Sequence, residues 1–516
     1  MKRFLSLFAI ALTIGATHAR ELQVHEPAEY LSGSLPVLYI NVYDEEGEFD
    51  DEVIDMNLDH KNYFSGEYWL ELNGCEWMAE EGAESIGSAE EPLPLEIKAR
   101  GNWTRIGFHK KPFKLKLGKK QSLLGLSKNK HFAILAHADD TRGYLRNFTA
   151  FDLGKRIELP WTPSQQPVEV VINGDYRGLY FLTESIRIDS ERVNIEELDD
   201  EETSPELVSG GYIIELDNYN ESDESQIRFE EKFNHPSVKD IVRVTFDTPE
   251  VYSDIQRQFI THQFTTINDL TADSSDDLWS YLDLDDAARY YIVCEMMSHT
   301  EAFHGSTYLF RDRGEGQKWH YSPLWDFGNA FNGPTNGYIY DNDAYGMTWI
   351  ASFAHNAKFN DKVKETWRWF MSNKFEGVYD DMKLMHEHIA DAAQADYKRW
   401  KDAPVPDGGQ QVVDNRNLSE RYAQTAAHMA AKYEWLKEQF GDYTDAVYEE
   451  PERDQTPAAK LPEFLGTSGV DEIAVELPAD AEYYNLQGIR VSNPVPGEIY
   501  IVRSSNGVVK TIFGRQ

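Results

Sequence analysis

The sequence predicts an α+β protein: a mixed β-sheet region, then a helical lobe, then a small all-β unit at the C-terminus. Three observations predict it. Short runs with apolar alternation, bounded by Gly, Asn and Pro, recur between residues 37 and 216. Residues 361–440 carry helical periodicity instead, with Leu418, Tyr422, Ala426, Met429, Tyr433 and Leu436 on one stripe. A stretch rich in Glu, Pro, Asp and Thr, 446–468, then reads as a linker before a last group of short β runs in 469–516.

The elements follow in order. Met1-Lys2-Arg3, an apolar run from Phe4 to Ala16 and a small residue at Ala19 read as a signal peptide spanning 1–19, too short to cross a bilayer. An exported protein, secreted or held at the cell surface or in the periplasm, is therefore expected. No later segment is apolar enough to span a membrane. Residues 20–88 read as a β-rich lead-in, with strands at Val37–Tyr43 and Tyr68–Leu72. The main domain is expected over 89–445. It begins with strands at Leu93–Ala99 and Pro112–Leu117, the second placing Phe113, Leu115 and Leu117 on one face and Lys114 and Lys116 on the other. A helix is expected over 144–158, a hairpin turning at Asn173-Gly174, and a strand at Gly211–Leu216. A helix over 285–298 and strands at Thr307–Arg311 and Lys318–Leu324 follow. The terminal unit should hold strands at Ile473–Leu477, Ile489–Val491, Ile499–Arg503 and Val508–Ile512.

Charge narrows the function. The 516 residues carry a formal charge of −39, which repels phosphate backbones and makes nucleic acid a poor partner. Two cysteines exclude a disulfide scaffold and a Cys-based zinc cluster, and Cys294 reads as a buried thiol. Against this acidic background, Ile97 through Ala138 contains no Asp or Glu and eleven bases, among them Arg100, Lys111 and Lys114. At the overall acid frequency about seven acids belong there. Such a basic hairpin, with a turn at Gly101, suits anionic phosphate groups.

Phosphoryl transfer needs cations on the phosphates, carboxylates for Mg²⁺, and one carboxylate near the attacking hydroxyl. Glu184, at the end of a strand, is a candidate partner for a hairpin lysine. Asp326, in Pro323-Leu324-Trp325-Asp326-Phe327-Gly328 just after a strand, is a candidate metal ligand. Glu301 lies about 25 residues earlier, after a helix. No G-x-G-x-x-G loop and no H-R-D triplet occur, which excludes an ordinary protein kinase.

Five segments in order resemble the spore-coat CotH-type (spore coat protein H) kinases, an atypical, extracytoplasmic branch of the kinase-like fold. They are Ile97-Lys98-Ala99-Arg100-Gly101-Asn102, Lys110 to Leu117, Tyr144-Leu145-Arg146-Asn147, Ile172 to Glu184, and Pro323 to Phe327. The resemblance covers about residues 90–400 and implies a kinase-like core, use of ATP with Mg²⁺ (or Mn²⁺), and phosphorylation of Ser, Thr or Tyr on a secreted or surface protein. It further implies that Arg100 and Lys114 or Lys111 contact phosphates, Glu184 orients a lysine, Arg146 braces the site, Asp326 holds Mg²⁺ with help from Asn329, and Glu301 takes the catalytic-loop position. Two departures stand out. The family's Asn-x-Asp is His299-Thr300-Glu301 here, and its Trp-Asp-[Phe/Tyr]-Asp ends in Gly328. A weak or inactive kinase-like surface module that binds nucleotide, phosphoglycan or a protein is the alternative. A secreted carbohydrate-active enzyme is a third, without a carboxylate pair to carry it. The C-terminal unit, with Tyr484-Asn485-Leu486-Gln487-Gly488, resembles β modules on secreted Bacteroidetes proteins and implies a link to secretion. His386 and His388, two apart, read as surface residues rather than metal ligands.

Overall fold

The computed structural model describes residues 24–43, 62–217, 227–230, 241–341, 349–350, 354–466, 482–484, 490–491, 499–504 and 507–512. The expected signal peptide lies outside them.

Seven strands close into a barrel: β1 (Val37–Val42), β2 (Phe64–Glu71), β3 (Leu93–Ala99), β4 (Phe113–Gln121), β5 (Asn129–Leu135), β6 (Gln165–Ile172) and β7 (Asp175–Glu184). Their order is β1-β2-β3-β4-β5-β7-β6, and parallel pairing of β1 with β6 completes the ring. The barrel interior is filled by side chains that alternate inward along each strand, including Phe113, Leu115, Leu117, Phe132, Val168, Val170 and Leu182. The Asn173-Gly174 turn has positive φ at both residues, as a two-residue hairpin loop requires. The expected separation of 20–88 from 89–445 does not hold. β2 pairs with β3 across that boundary, Phe64 opposite Ile97, because β1 and β2 are needed to remove the barrel's open edges.

A second, five-stranded antiparallel sheet comprises β8 (Tyr212–Leu216), β9 (Ile227–Glu230), β10 (Ile241–Thr248), β11 (Thr307–Arg311) and β12 (His320–Tyr321), in the order β12-β11-β8-β10-β9. The longer helices among the described residues are α1 (Leu145–Arg156), α2 (Asp254–Ala272), α3 (Leu284–Met296), α4 (Ala357–Asn373), α5 (Val378–Trp400) and α6 (Leu418–Phe440). Every residue of α3 is buried, so this helix is the spine of the helical lobe. Its sequence-visible stripe understates that burial, because other elements cover all of its faces. Barrel and helices are joined by buried charge. Lys110 Nζ lies 2.8 Å from the Asp396 carboxylate of α5 and donates to the Leu179 carbonyl at 2.6 Å.

The expected linker differs from the sequence reading. Residues 446–461 lack regular structure, yet they form a strap along the helical lobe. Glu450 pairs with Arg289 at 2.8 Å, Arg453 with Asp283 and Asp286 at 3.3 Å, and Asp454 with Lys358 at 2.7 Å. Leu465 beyond it is buried. Charge, not periodicity, orders this segment. The C-terminal strands β13 (Glu482–Tyr484), β14 (Arg490–Val491), β15 (Ile499–Ser504) and β16 (Gly507–Ile512) form one antiparallel sheet. The strand expected at Ile473–Leu477 lies outside the described residues. Among the described residues no helix is long and apolar enough to cross a membrane.

Candidate active site

The loop after α3 carries Glu301, and a left-handed residue after β12 carries Asp326 (φ 52°, ψ 63°). Asp tolerates this conformation better than most residues, and strained backbone of this kind clusters at functional sites. Two residues of α1 hold the Asp326 loop. Asn147 Oδ1 accepts from the Phe327 N–H at 2.8 Å, and the Arg146 guanidinium donates to the Gly328 carbonyl and, at 3.0 Å, to Asn332 Oδ1. Arg146 is itself set by Asp140 at 3.7 Å. His299 stacks on Phe327 with centroids 4.4 Å apart, and its complete burial pulls its pKa down to about 3.

Glu301 and Asp326 belong to one cleft. Asn329 Nδ2 donates to Glu301 Oε2 at 2.6 Å, and Asn329 Oδ1 accepts from Asn332 at 3.1 Å. Burial first, and then repulsion from Asp326, raises the Glu301 carboxyl to about 7. The Asp326 side chain is open to solvent. Three further carboxyls that the sequence reading missed share its field. Asp139 is raised to about 6 by burial and by Asp140, with Asp326 contributing. Glu215 on β8 is raised to about 8 by burial and by Asp217 and Asp247, again with Asp326 contributing. Asp217 also repels Glu301. A signal existed for two of them: Asp139 is the first acid after the acid-free window, and Glu215 is the only charge in its apolar strand.

The basic hairpin meets the segment that carries Asp326. The Arg100 guanidinium lies over the Trp325 ring at 5.2 Å, one residue before Asp326. Lys98 and Lys114 are direct cross-strand partners on the barrel's outer face, an unfavourable pairing of like charges. Asp247 on β10 offsets it. Burial, then Arg187, lowers the Lys114 pKa to about 8, and Asp247 opposes that shift. Arg187, unforeseen in the sequence, thus joins Arg100 and Lys114.

Two expected roles are corrected. Among the described residues Glu184 is paired with no hairpin lysine. Its carboxylate accepts from the backbone N–H groups of Ser127 at 2.7 Å and Ser164 at 2.8 Å, because β7 ends where two loops need an acceptor. Lys111 is buried and its Nζ donates to the Arg105 carbonyl at 2.5 Å, so it secures the turn after Arg100 instead of reaching a phosphate. The histidine pair also differs. His386 is buried and bonds the Gly143 carbonyl at 2.7 Å, while His388 stacks on Trp77 at 4.0 Å, since α5 is sandwiched between α6 and the barrel. Cys294 is a buried free thiol as read, and so is Cys75.

Comparison with known families matches residues 97–438, about two thirds of the chain, to the CotH kinase protein family. The chain belongs to the CotH kinase family. The match starts in β3 and ends near the close of α6, so it takes in Arg100, Lys114, Arg146, Glu301 and Asp326. Comparison with curated proteins gives no match.

The family implies Mg²⁺, and the donor set suits it. The carboxyls around Asp326 offer oxygen ligands, and several are held above their ordinary pKa by burial first and then by mutual repulsion. A divalent cation would relieve that excess of negative charge. Asp326 would be its principal ligand. Asn329 turns its amide NH₂ to Glu301 and its oxygen to Asn332, so it is a positioning residue here.

Proposed function

We propose that this protein is an exported, kinase-like phosphotransferase that moves the γ-phosphate of ATP onto a hydroxyl of another secreted or surface protein. One observation carries the reading: Glu301 lies close enough to Asp326 to be repelled by it, while Arg100 lies over the ring of Trp325, the residue before Asp326, and shares its field with Lys114 and Arg187. Mg²⁺ at Asp326 would neutralise charge on the transferring phosphates. Arg100, Lys114 and Arg187 supply positive charge that needs no reorganisation during transfer. With a pKa near 7, Glu301 is poised to take the proton of the acceptor hydroxyl at neutral pH. Arg146 and Asn147 keep the Asp326 loop in register with Glu301, which matters because an error of about 1 Å can cost about 10²-fold.

A second reading has one observation in its favour. At Gly328, where the family carries a carboxylate, an added Cβ would sit 3.2 Å from Asp326 Oδ1, so this cleft lacks a side chain directly beside its metal ligand. A nucleotide- or phosphoglycan-binding module without turnover would tolerate that. The deciding experiment incubates the full chain with ATP labelled at the γ-phosphate, Mg²⁺ or Mn²⁺ and a mixed protein acceptor. Transfer that Asp326→Ala abolishes supports the phosphotransferase. ATP binding without transfer supports the module, and absence of ATP binding overturns both.

A further inference from the structure

Glu301 and Asp326 stand on two loops, and both loops hold residues in strained backbone. Ser298, Phe303 and Ser306 around Glu301, and Asp326 and Phe331 in the other loop, all have φ between 43° and 67°. Residues other than glycine, and Phe above all, stay in that region only where their surroundings hold them. The two loops hold each other. The Phe331 N–H donates to the Met297 carbonyl at 2.7 Å, and the Gly333 N–H to the Ser298 carbonyl at 3.0 Å. At Gly333 the chains come so close that a Cβ would lie 2.7 Å from the Ser298 carbonyl oxygen and 3.0 Å from Thr300 Cγ2, so only glycine fits. With the bond from Asn329 to Glu301 at 2.6 Å, these contacts lace residues 297–301 to 329–333.

The helix α6 grips both loops. His428 and Lys432 lie one turn apart on one face of it. Lys432 Nζ binds Glu295 Oε2 at 2.7 Å, on the last turn of α3, and the Gly337 carbonyl at 2.6 Å, beyond the Asp326 loop. His428 Nε2 lies 3.0 Å from Ser298 Oγ, which in turn lies 3.3 Å from the Pro334 carbonyl oxygen. A carbonyl only accepts, so the single hydroxyl proton of Ser298 goes to Pro334 and His428 Nε2 is the donor to Ser298. The Phe331 ring packs edge-on against the same imidazole, with centroids 5.5 Å apart. Burial, then Arg142 and Lys432, pull the His428 pKa down to about 4, so the ring is neutral at neutral pH. One side chain of α6 therefore touches the loop before Glu301 and the loop after Asp326 at once.

We propose that His428 and Gly333 are positioning residues that set Glu301 against Asp326, His428 by fixing Ser298 and Phe331, and Gly333 by letting the two loops touch. The functional half of this rests on the reading of Glu301 and Asp326 as the groups that serve phosphotransfer; the lacing of the loops does not. His428 acts through Ser298, three residues before Glu301, and Gly333 acts through the same residue's carbonyl. The two loops then form one preassembled unit, braced by a helix 130 residues from Ser298.

The test compares the full chain with His428→Ala, His428→Gln and Gly333→Ala in two arms. Amide hydrogen exchange is read by mass spectrometry. In His428→Ala, peptides covering 297–303 and 327–334 should exchange roughly tenfold faster, the loss of about one hydrogen bond, while the barrel strands keep their rates. Gly333→Ala should open the same two peptides. His428→Gln retains a side-chain N–H donor and should bring both peptides back to within about twofold of the parent. In the labelled-ATP assay, His428→Ala should lower kcat about 10–10²-fold with KM for ATP within about twofold, and His428→Gln should recover most of the rate. A parent chain that transfers no phosphate overturns the phosphotransfer reading, and the exchange arm then decides the lacing by itself. Unchanged exchange in both peptides of His428→Ala and Gly333→Ala overturns the proposal. So does faster exchange that spreads equally over the barrel, and so does a transferring enzyme whose kcat neither substitution lowers.

Discussion

Replacing Glu301 by Gln should abolish activity and at the same time stabilise the protein. Burial and Asp326 raise the Glu301 pKa from 4.5 to about 7. In the unfolded chain the group titrates near 4.5. Between these values the folded protein holds a proton that the unfolded chain has released. The stabilisation is therefore fully present below about pH 4.5 and lost as pH rises through about 7. Above that, keeping the ionised carboxylate folded costs about 3 kcal/mol, from a shift of about 2.5 pH units at about 1.36 kcal/mol each. Glu301→Gln removes the charge and preserves the acceptor for Asn329 Nδ2. At pH 8 the variant should melt roughly 4 °C above the parent, given the unfolding entropy of a domain this large. Near pH 4.5 the gain should vanish. Phosphotransfer should fall about 10²–10⁴-fold, and the rise of the parent's rate through pH 7 should be absent. Calorimetry at both pH values and a labelled-ATP assay measure this. A variant that melts at or below the parent at pH 8, or that gains equally at both pH values, would refute the account of the cleft as a cluster of repelling carboxyls.

Three other predictions test neighbouring parts of the argument. Lys432 and Glu295 form an ion pair with both side chains fully buried, so Lys432→Met should cost about 3–5 kcal/mol in denaturant unfolding, and adding Glu295→Gln should recover part of it. Lys114 carries its charge below about pH 8, so the KM for ATP should climb as pH passes through 8; Lys114→Met should remove that limb, whereas Lys111→Met should leave it and lower stability instead. Truncation after residue 445 removes Arg453 and Asp454 from Asp283, Asp286, Lys358 and Lys318, and differential scanning fluorimetry should show a lower Tm than truncation after 466, most clearly at low salt.

The sequence by itself determined the strands β3, β6, β7, β8 and β11, the helices α1 and α3, and the mostly helical run from 361 to 440, since each announces itself within its own residues. The Asn173-Gly174 hairpin is the clearest case, because a two-residue loop selects residues that accept positive φ. It also pointed to Arg100, Lys114, Arg146, Glu301 and Asp326, through one acid-free window and a few ordered motifs. The helix α2 went unassigned although Ser253 and Gln256 form a capping box at its start. Only the tertiary structure decided that the strands close into a barrel, because closure depends on β1 meeting β6 more than a hundred residues away. It alone decided which charges do chemistry and which hold the fold. Lys110, Lys111 and Lys114 are near neighbours in sequence, yet the first two point into buried acceptors and the third faces Asp247 and Arg187. The same holds for Asp139 and Glu215, whose raised pKa values come from burial and from the carboxylates that folding brings beside them, for Asp247, which faces Lys114 and Arg187, and for 446–461, whose order comes from ion pairs with distant helices. A side chain's type is local, but its electrostatic environment is set by whatever folding brings within a few ångströms, and no spacing along the chain encodes that.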